Sequence, residues 1–258
     1  MFWRTTSPLE ADDEDWQLEC WRWLLEHFGG VDAWRRRPLI LPTRDFFDVP
    51  ETDGHAAALD WFEQVADWFG LDPAQFDLVA QDEAIDPVLG PLQIVADAPG
   101  DPAGTFSVGD GGRLAISYSR SLIARPMRLI ATLAHELCHP LLLALPEEPP
   151  GGAEMEEFAT DLAVTFFGFG VFSSNAGAAV RQFSDEATGT VGWSMDALGY
   201  LSPAERAFAL ALFLLERPED QRAVRGHLDD GALAYYAKAQ KYLNANRGAA
   251  TKLIAQGG

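Results

Sequence analysis

The stretch Ala131-Thr132-Leu133-Ala134-His135-Glu136-Leu137-Cys138-His139 holds the pattern His-Glu-x-x-His inside an apolar, helix-favouring run. On an α-helix, residues i and i+4 lie on one face, so His135 and His139 project together. Two imidazoles at that spacing can grip one Zn2+ at roughly 2.0–2.1 Å per nitrogen. Glu136 sits beside such an ion without having to ligate it. From there a carboxylate can take a proton from water on the metal. Three fixed positions in five also recur by chance, so a plain buried helix is the competing reading of this stretch alone.

The next acidic run is Glu154-Met155-Glu156-Glu157-Phe158-Ala159-Thr160-Asp161. Two imidazoles leave a tetrahedral ion short of a third protein ligand and a water, the arrangement of catalytic zinc. The chain between His139 and Glu157 is long enough for a turn and a returning antiparallel helix. Asp161 follows Glu157 at i+4 on the same face. From there it can accept the spare N–H of a ligand histidine, which fixes the tautomer and raises the ring's basicity. Glu154 and Glu156 are rival ligands, but their i+4 residues, Phe158 and Thr160, cannot take that supporting role. Glu157 is the better choice.

His-Glu-x-x-His followed by Glu-x-x-x-Asp resembles the gluzincin class of zinc metallopeptidases, the thermolysin-like pattern. The resemblance covers residues from about 113 to 170. It implies an α+β, zincin-like fold, with a small mixed sheet beside the active-site helix and helical additions at both ends. It further implies His135, His139 and Glu157 as zinc ligands, Glu136 as general base and Asp161 as the partner of a ligand imidazole. The implied substrate is a peptide or protein. In that class the strand before the active-site helix forms a sheet edge on which extended peptide docks by β-addition. Residues 113–119 are the candidate here, with an ordinary sheet strand as the alternative.

The flanking chain suits such a site. Gly111-Gly112-Arg113-Leu114-Ala115-Ile116-Ser117-Tyr118-Ser119 reads as a turn and a strand, with Asp110-Gly111 as a hairpin turn. Pro126 is a good first helical residue, and Leu129, Ile130, Leu133, Ala134 and Leu137 continue the helical pattern. Pro140 cannot donate to the carbonyl of Glu136, so a kink or helix end is expected there, although Leu141 to Leu145 could continue the helix after a bend. Cys138 points away from the two histidines and reads as a packing residue.

Composition bounds the rest. The 258 residues are 48% hydrophobic, with eight Trp and sixteen Phe, ample for a buried core in one large domain. A net charge of −20 repels phosphate backbones, so neither nucleic acid nor an anionic membrane is an expected partner. Two cysteines, Cys20 and Cys138, make no disulfide framework and point to a reducing, cytoplasmic setting. The first residues lack the pattern of a signal peptide, and no apolar run reaches the ~20 residues of a membrane span.

Four zones follow. In 1–35, Ser7-Pro8-Leu9-Glu10 reads as a capping box opening a helix to Phe28, closed by Gly29-Gly30. Trp16, Cys20, Trp23, Leu24 and Phe28 form its inward stripe. In 36–119, Thr52 or Asp53 caps a helix that stops at Gly70. Phe76 to Ala80, Leu92 to Ala96, 105–109 and 113–119 then form a sheet of about four strands, with Ala98 to Gly104 as a loop. Residues 120–172 carry the two site helices, separated at Pro146 to Gly152. In 173–258, Ser202-Pro203-Ala204-Glu205 caps another helix, a further one spans Gly231 to Leu243, and the tail from Asn244 is expected to be loose. Tyr118, Tyr200, His227 and Arg181 are all available to stabilise an oxyanion.

The expected function is therefore a zinc-dependent hydrolase, a metallopeptidase in which Glu136 shuttles the proton. The alternative is a catalytically inactive zincin-like regulatory or protein-binding module. A third reading is a chance motif inside a helical interaction protein.

Overall fold

The structure, a computed structural model, describes residues 6–81, 104–108, 113–176 and 201–255. Its helices are α1 (Ala11–His27), α2 (Gly30–Arg36), α3 (Gly54–Phe69), α4 (Pro126–Leu143), α5 (Glu156–Val164) and α6 (170–176). Beyond residue 200 come α7 (Pro203–Phe213), α8 (Pro218–Ala223), α9 (Asp230–Ala245) and α10 (Arg247–Ala255). Three strands, β1 (Phe76–Gln81), β2 (Gly104–Val108) and β3 (Leu114–Ser119), form a mixed sheet.

Helix α4 is central because its sequence is apolar nearly all round. Leu129, Leu133, Ala134 and Leu137 are fully buried, and the helix packs against α3, α5, β2 and β3. Pro126 occupies its first turn, as a residue without an N–H can. Pro140 neither ends nor breaks it: the helix runs on to Leu143, and the Ala144 N–H bonds the Pro140 carbonyl at 3.2 Å. A proline so near the C-terminus removes only one ladder bond, that to the Glu136 carbonyl.

The sheet order is β1-β3-β2, with β1 parallel and β2 antiparallel to β3. Residues 113–119 are thus the middle of the described sheet, not its edge. Both hydrogen-bonding sides of β3 are taken by neighbours, so it has no free side on which a peptide could add. Among the described residues the outer strands are β1 and β2, and Phe106 of β2 pairs with Ile116. Leu92 to Ala96, the Asp110-Gly111 turn and most of the Ala98 to Gly104 loop lie outside the described residues.

Aromatic packing ties the N-terminal helices to the site helices. Trp21 meets Trp34 and Phe166 edge to face, at 6.1 and 5.3 Å between centroids. Arg37 lies over the rings of Phe166 and Phe167, and Arg217 over those of Trp34 and Phe213. Cys20 and Leu24 are fully buried, whereas Trp16 and Phe28 flank the core. Ser7 does not cap α1. Its hydroxyl accepts from the Leu9 N–H, and the helix starts at Ala11. Gly29 takes a left-handed φ of 88°, and a second helix begins at once instead of a loop.

Residue type matches the helix ends at α3 and α7, although the Asp53 side chain makes no cap hydrogen bond. Asp53 precedes α3, and Gly70, at φ 71°, ends it. Ser202 and Glu205 form a reciprocal capping box at α7: the Ser202 N–H donates to the Glu205 carboxylate at 2.7 Å. The expected loose tail is helical over Arg247–Ala255, where α10 buries Ala250, and residues 256–258 lie outside the described residues.

Between α5 and α6, within Thr165–Phe169, the helical path kinks at Gly168. Gly168 there has φ 104°, and its carbonyl accepts from the Ile40 N–H at 3.0 Å. A Cβ at this position would stand 2.3 Å from the Pro38 carbonyl oxygen. The segment from Pro38 to Pro42 is therefore held by a site that only glycine can fill. Gly168→Ala should destabilise the protein by about 2 kcal/mol or more. Urea unfolding of the variant reads this, and an unchanged midpoint would show that the backbone there relaxes freely.

Candidate metal centre

His135 and His139 share one face of α4, their rings 4.9 Å apart and nearly perpendicular. Helix α5 packs against α4 and brings Glu157 and Asp161 to that face. Glu157 Oε2 lies 3.2 Å from His135 Nε2 and 3.7 Å from His139 Nε2. Asp161 Oδ1 lies 3.0 Å from His135 Nδ1, the other side of the same ring. Glu136 is buried beside them, with Oε2 at 4.0 Å from His139 Nε2 and no hydrogen-bond partner.

The expected site residues thus stand together. Of the rivals, Glu154 is exposed, and no ion pair links Glu156 to either ring among the described residues. Cys138 is fully buried, and desolvation pushes its thiol well above the usual range, with Asp161 and Glu136 adding to the effect.

Spacing and donor chemistry suit a small divalent cation. Donors at roughly 2.0–2.1 Å from a tetrahedral ion stand about 3.3–3.4 Å from one another. The two distances from Glu157 to the imidazoles, 3.2 and 3.7 Å, bracket that separation. His135, Glu136 and His139 also place a ligand atom each within 4.8 Å of one another. Glu136 is the alternative third ligand, but Glu157 comes within 3.2 and 3.7 Å of the two ring nitrogens whereas Glu136 comes to 4.0 Å from that of His139. The orphaned Glu136 oxygen needs a donor, and a water between it and an ion would supply one.

Electrostatics divide the two histidines. Burial alone would lower the pKa of His135, but hydrogen bonds to Asp161 and Glu157 outweigh it and carry the pKa from 6.5 to about 10. His139 drops to about 4, through burial and the neighbouring His135 charge. Burial lifts Glu136 to about 7, Glu157 adding to the rise and His135 opposing it. Glu157 and Asp161 stay below their usual values despite burial. His135 holds Glu157 down, and Arg206 and His135 together hold Asp161.

Three neighbours escaped the sequence reading. Phe106 of β2 stacks almost parallel to the His139 ring, 6.1 Å between centroids and 17° between planes. The Leu201 N–H and Arg206 both bond Asp161 Oδ2, at 2.9 and 2.7 Å. Arg206 carried a usable signal, since an arginine next to the apolar run Ala207 to Leu215 needs a buried partner. Of the oxyanion candidates, Tyr118 is buried and shares a 2.9 Å hydrogen bond with His55. Tyr200 and Arg181 lie outside the described residues. Among the described residues the His227 ring makes no hydrogen bond, while its carbonyl accepts from Asn175 at 2.8 Å.

Comparison with protein-family models, with curated proteins and with solved structures returned no match to this chain. Nor is any described helix long and apolar enough to cross a membrane.

The raised pKa of His135 has a direct consequence for the metal-free protein. A raised folded-state value means that the stabilisation is complete below about 6.5 and is lost as pH rises through about 10. Chelator-treated protein should therefore show a urea midpoint that falls between pH 7 and 10, and His135→Gln should flatten that fall. A wild-type midpoint that holds or rises across this range would contradict the assigned protonation.

Proposed function

We propose that the protein is a zinc-dependent hydrolase of the zincin-like, gluzincin type, acting on peptide bonds. The observation that carries this reading is the position of the Glu157 carboxylate, within 3.2 and 3.7 Å of the two imidazole nitrogens of a His-Glu-x-x-His helix. His135, His139 and Glu157 would hold the ion. Zn2+ so bound supplies Lewis acidity and lowers the pKa of water towards ~7.

The protein's own residues supply the proton handling. Glu136 is buried, faces the same space with one unbonded oxygen and has a pKa near 7, suited to a group that both takes and gives a proton at neutral pH. It accepts a proton from the attacking water as the C–O bond forms. It then delivers that proton to the departing amine nitrogen as the C–N bond breaks. Phe106 covers one face of His139, which limits solvent access and leaves that ring little freedom to turn. Asp161 accepts from His135 Nδ1–H and so leaves Nε2 facing the ion.

The test pairs metal analysis with peptide cleavage. Protein purified without chelators should contain one zinc per chain and cleave unfolded protein or a peptide library, read by mass spectrometry. Glu136→Gln should keep the zinc and lose at least ~10²-fold in cleavage rate. Zinc with no cleavage of any peptide would favour the binding-module reading. Cleavage unchanged in Glu136→Gln would remove Glu136 from the reaction.

A second substitution separates the ligands. Glu157→Ala should weaken zinc binding by at least ~10²-fold, as measured by competition with a chromophoric chelator, whereas Glu154→Ala should leave it unchanged. Equal affinities in the two variants would rule out Glu157 as a ligand.

A further inference from the structure

Asp161 is only 2% exposed, and both of its oxygens are engaged. Oδ1 faces His135 Nδ1 at 3.0 Å, and Oδ2 accepts from the Leu201 N–H at 2.9 Å and from Arg206 Nη2 at 2.7 Å. Arg206, itself 4% exposed, is fixed at its other nitrogens. Nε donates to the Leu201 carbonyl at 2.9 Å, and Nη1 donates to the Ser173 hydroxyl at 2.6 Å. The guanidinium is thus clamped between α6 and the turn into α7, and it sets the plane of the Asp161 carboxylate. That plane decides whether Oδ1 points along the Nδ1–H bond of His135. A planar fork can hold three partners in fixed directions, which an ammonium on a flexible stem cannot.

We propose that Arg206 is a positioning residue of the metal centre. Acting through Asp161, it holds His135 as the Nδ1–H form, with Nε2 turned towards Glu157. The consequence for metal affinity rests on the zinc reading above, whereas the hold on the ring is a property of the metal-free protein as well. A role confined to charge compensation in the core predicts something different. It would lower stability when Arg206 is changed and leave the imidazole where it is.

The experiment uses full-length, chelator-treated protein labelled with 15N-histidine. The His135 Nδ1–H resonance is assigned by its loss in His135→Gln. Wild type should show this proton, and in Arg206→Lys its exchange with solvent should be at least tenfold faster. The zinc dissociation constant should rise about tenfold in the same variant, the lower end of what loss of a ligand's supporting contact costs. Ser173→Ala removes one anchor of the guanidinium with little change in volume, and it should move both readouts in the same direction by less. It also serves where Arg206→Lys does not fold. Proton exchange and zinc affinity both unchanged in the folded variant would overturn the proposal. If wild type binds no zinc, the metal reading fails, while the exchange comparison still decides the role of Arg206.

Discussion

Both ring nitrogens of the partly buried His135 meet a carboxylate, Asp161 at 3.0 Å on one side and Glu157 at 3.2 Å on the other, and these contacts favour the charged imidazole against the cost of desolvation. That constraint determines much of the surrounding architecture. The two carboxylates must come from one helical face, which requires α5 to lie against α4 with Glu157 and Asp161 one turn apart. Asp161, buried in turn, requires its own cation, and Arg206 at the start of α7 provides it. A chain of alternating charge therefore links three helices that are distant in sequence. Asp161 is the common partner, bonded to His135 through one oxygen and to Arg206 through the other.

The same chain bears on how the proposed site would take a cation. The raised pKa of His135 favours a proton on its Nε2 towards Glu157, 3.2 Å away. An ion entering there would displace that proton, so metal affinity and pH are coupled by mass action. His139, kept neutral by burial and by its charged neighbour, has its lone pair free at neutral pH. Glu136 stands apart, buried without a partner, and its raised pKa reflects desolvation rather than any contact it makes. A carboxylate in that condition is a poor structural element and a suitable proton carrier.

Local signals in the sequence were enough for features that depend on neighbours along the chain. The i,i+4 spacing of His135 and His139, Pro126 in the first turn of α4, Gly70 after α3 and the Ser202–Glu205 box are all set within a few residues. What depended on distant partners was not legible. Strand β3 sits in the middle of the sheet because β1 pairs with it in parallel from across a long connection, and no pattern within 113–119 reveals that neighbour. The role of Ser7 was misread because the Ser-Pro-Leu-Glu pattern does not reveal that Ser7 closes a two-residue turn. Nothing beside Gly168 in the sequence marks it as left-handed, because the Pro38–Ile40 segment that packs against it lies far away in the chain. Arg206 is the instructive middle case: its need for a partner was visible, and the identity of that partner was not.

The central claim is that His135, His139 and Glu157 converge on one metal ion while Glu136 remains off it. Anomalous diffraction at the zinc edge, from crystals of the intact protein grown with zinc, tests this most directly. The account predicts a single strong peak bonded to His135 Nε2, His139 Nε2 and a Glu157 oxygen, with Asp161 behind the His135 ring. The absence of a peak between α4 and α5, or an ion bonded to Glu136 with Glu157 turned away, would contradict it.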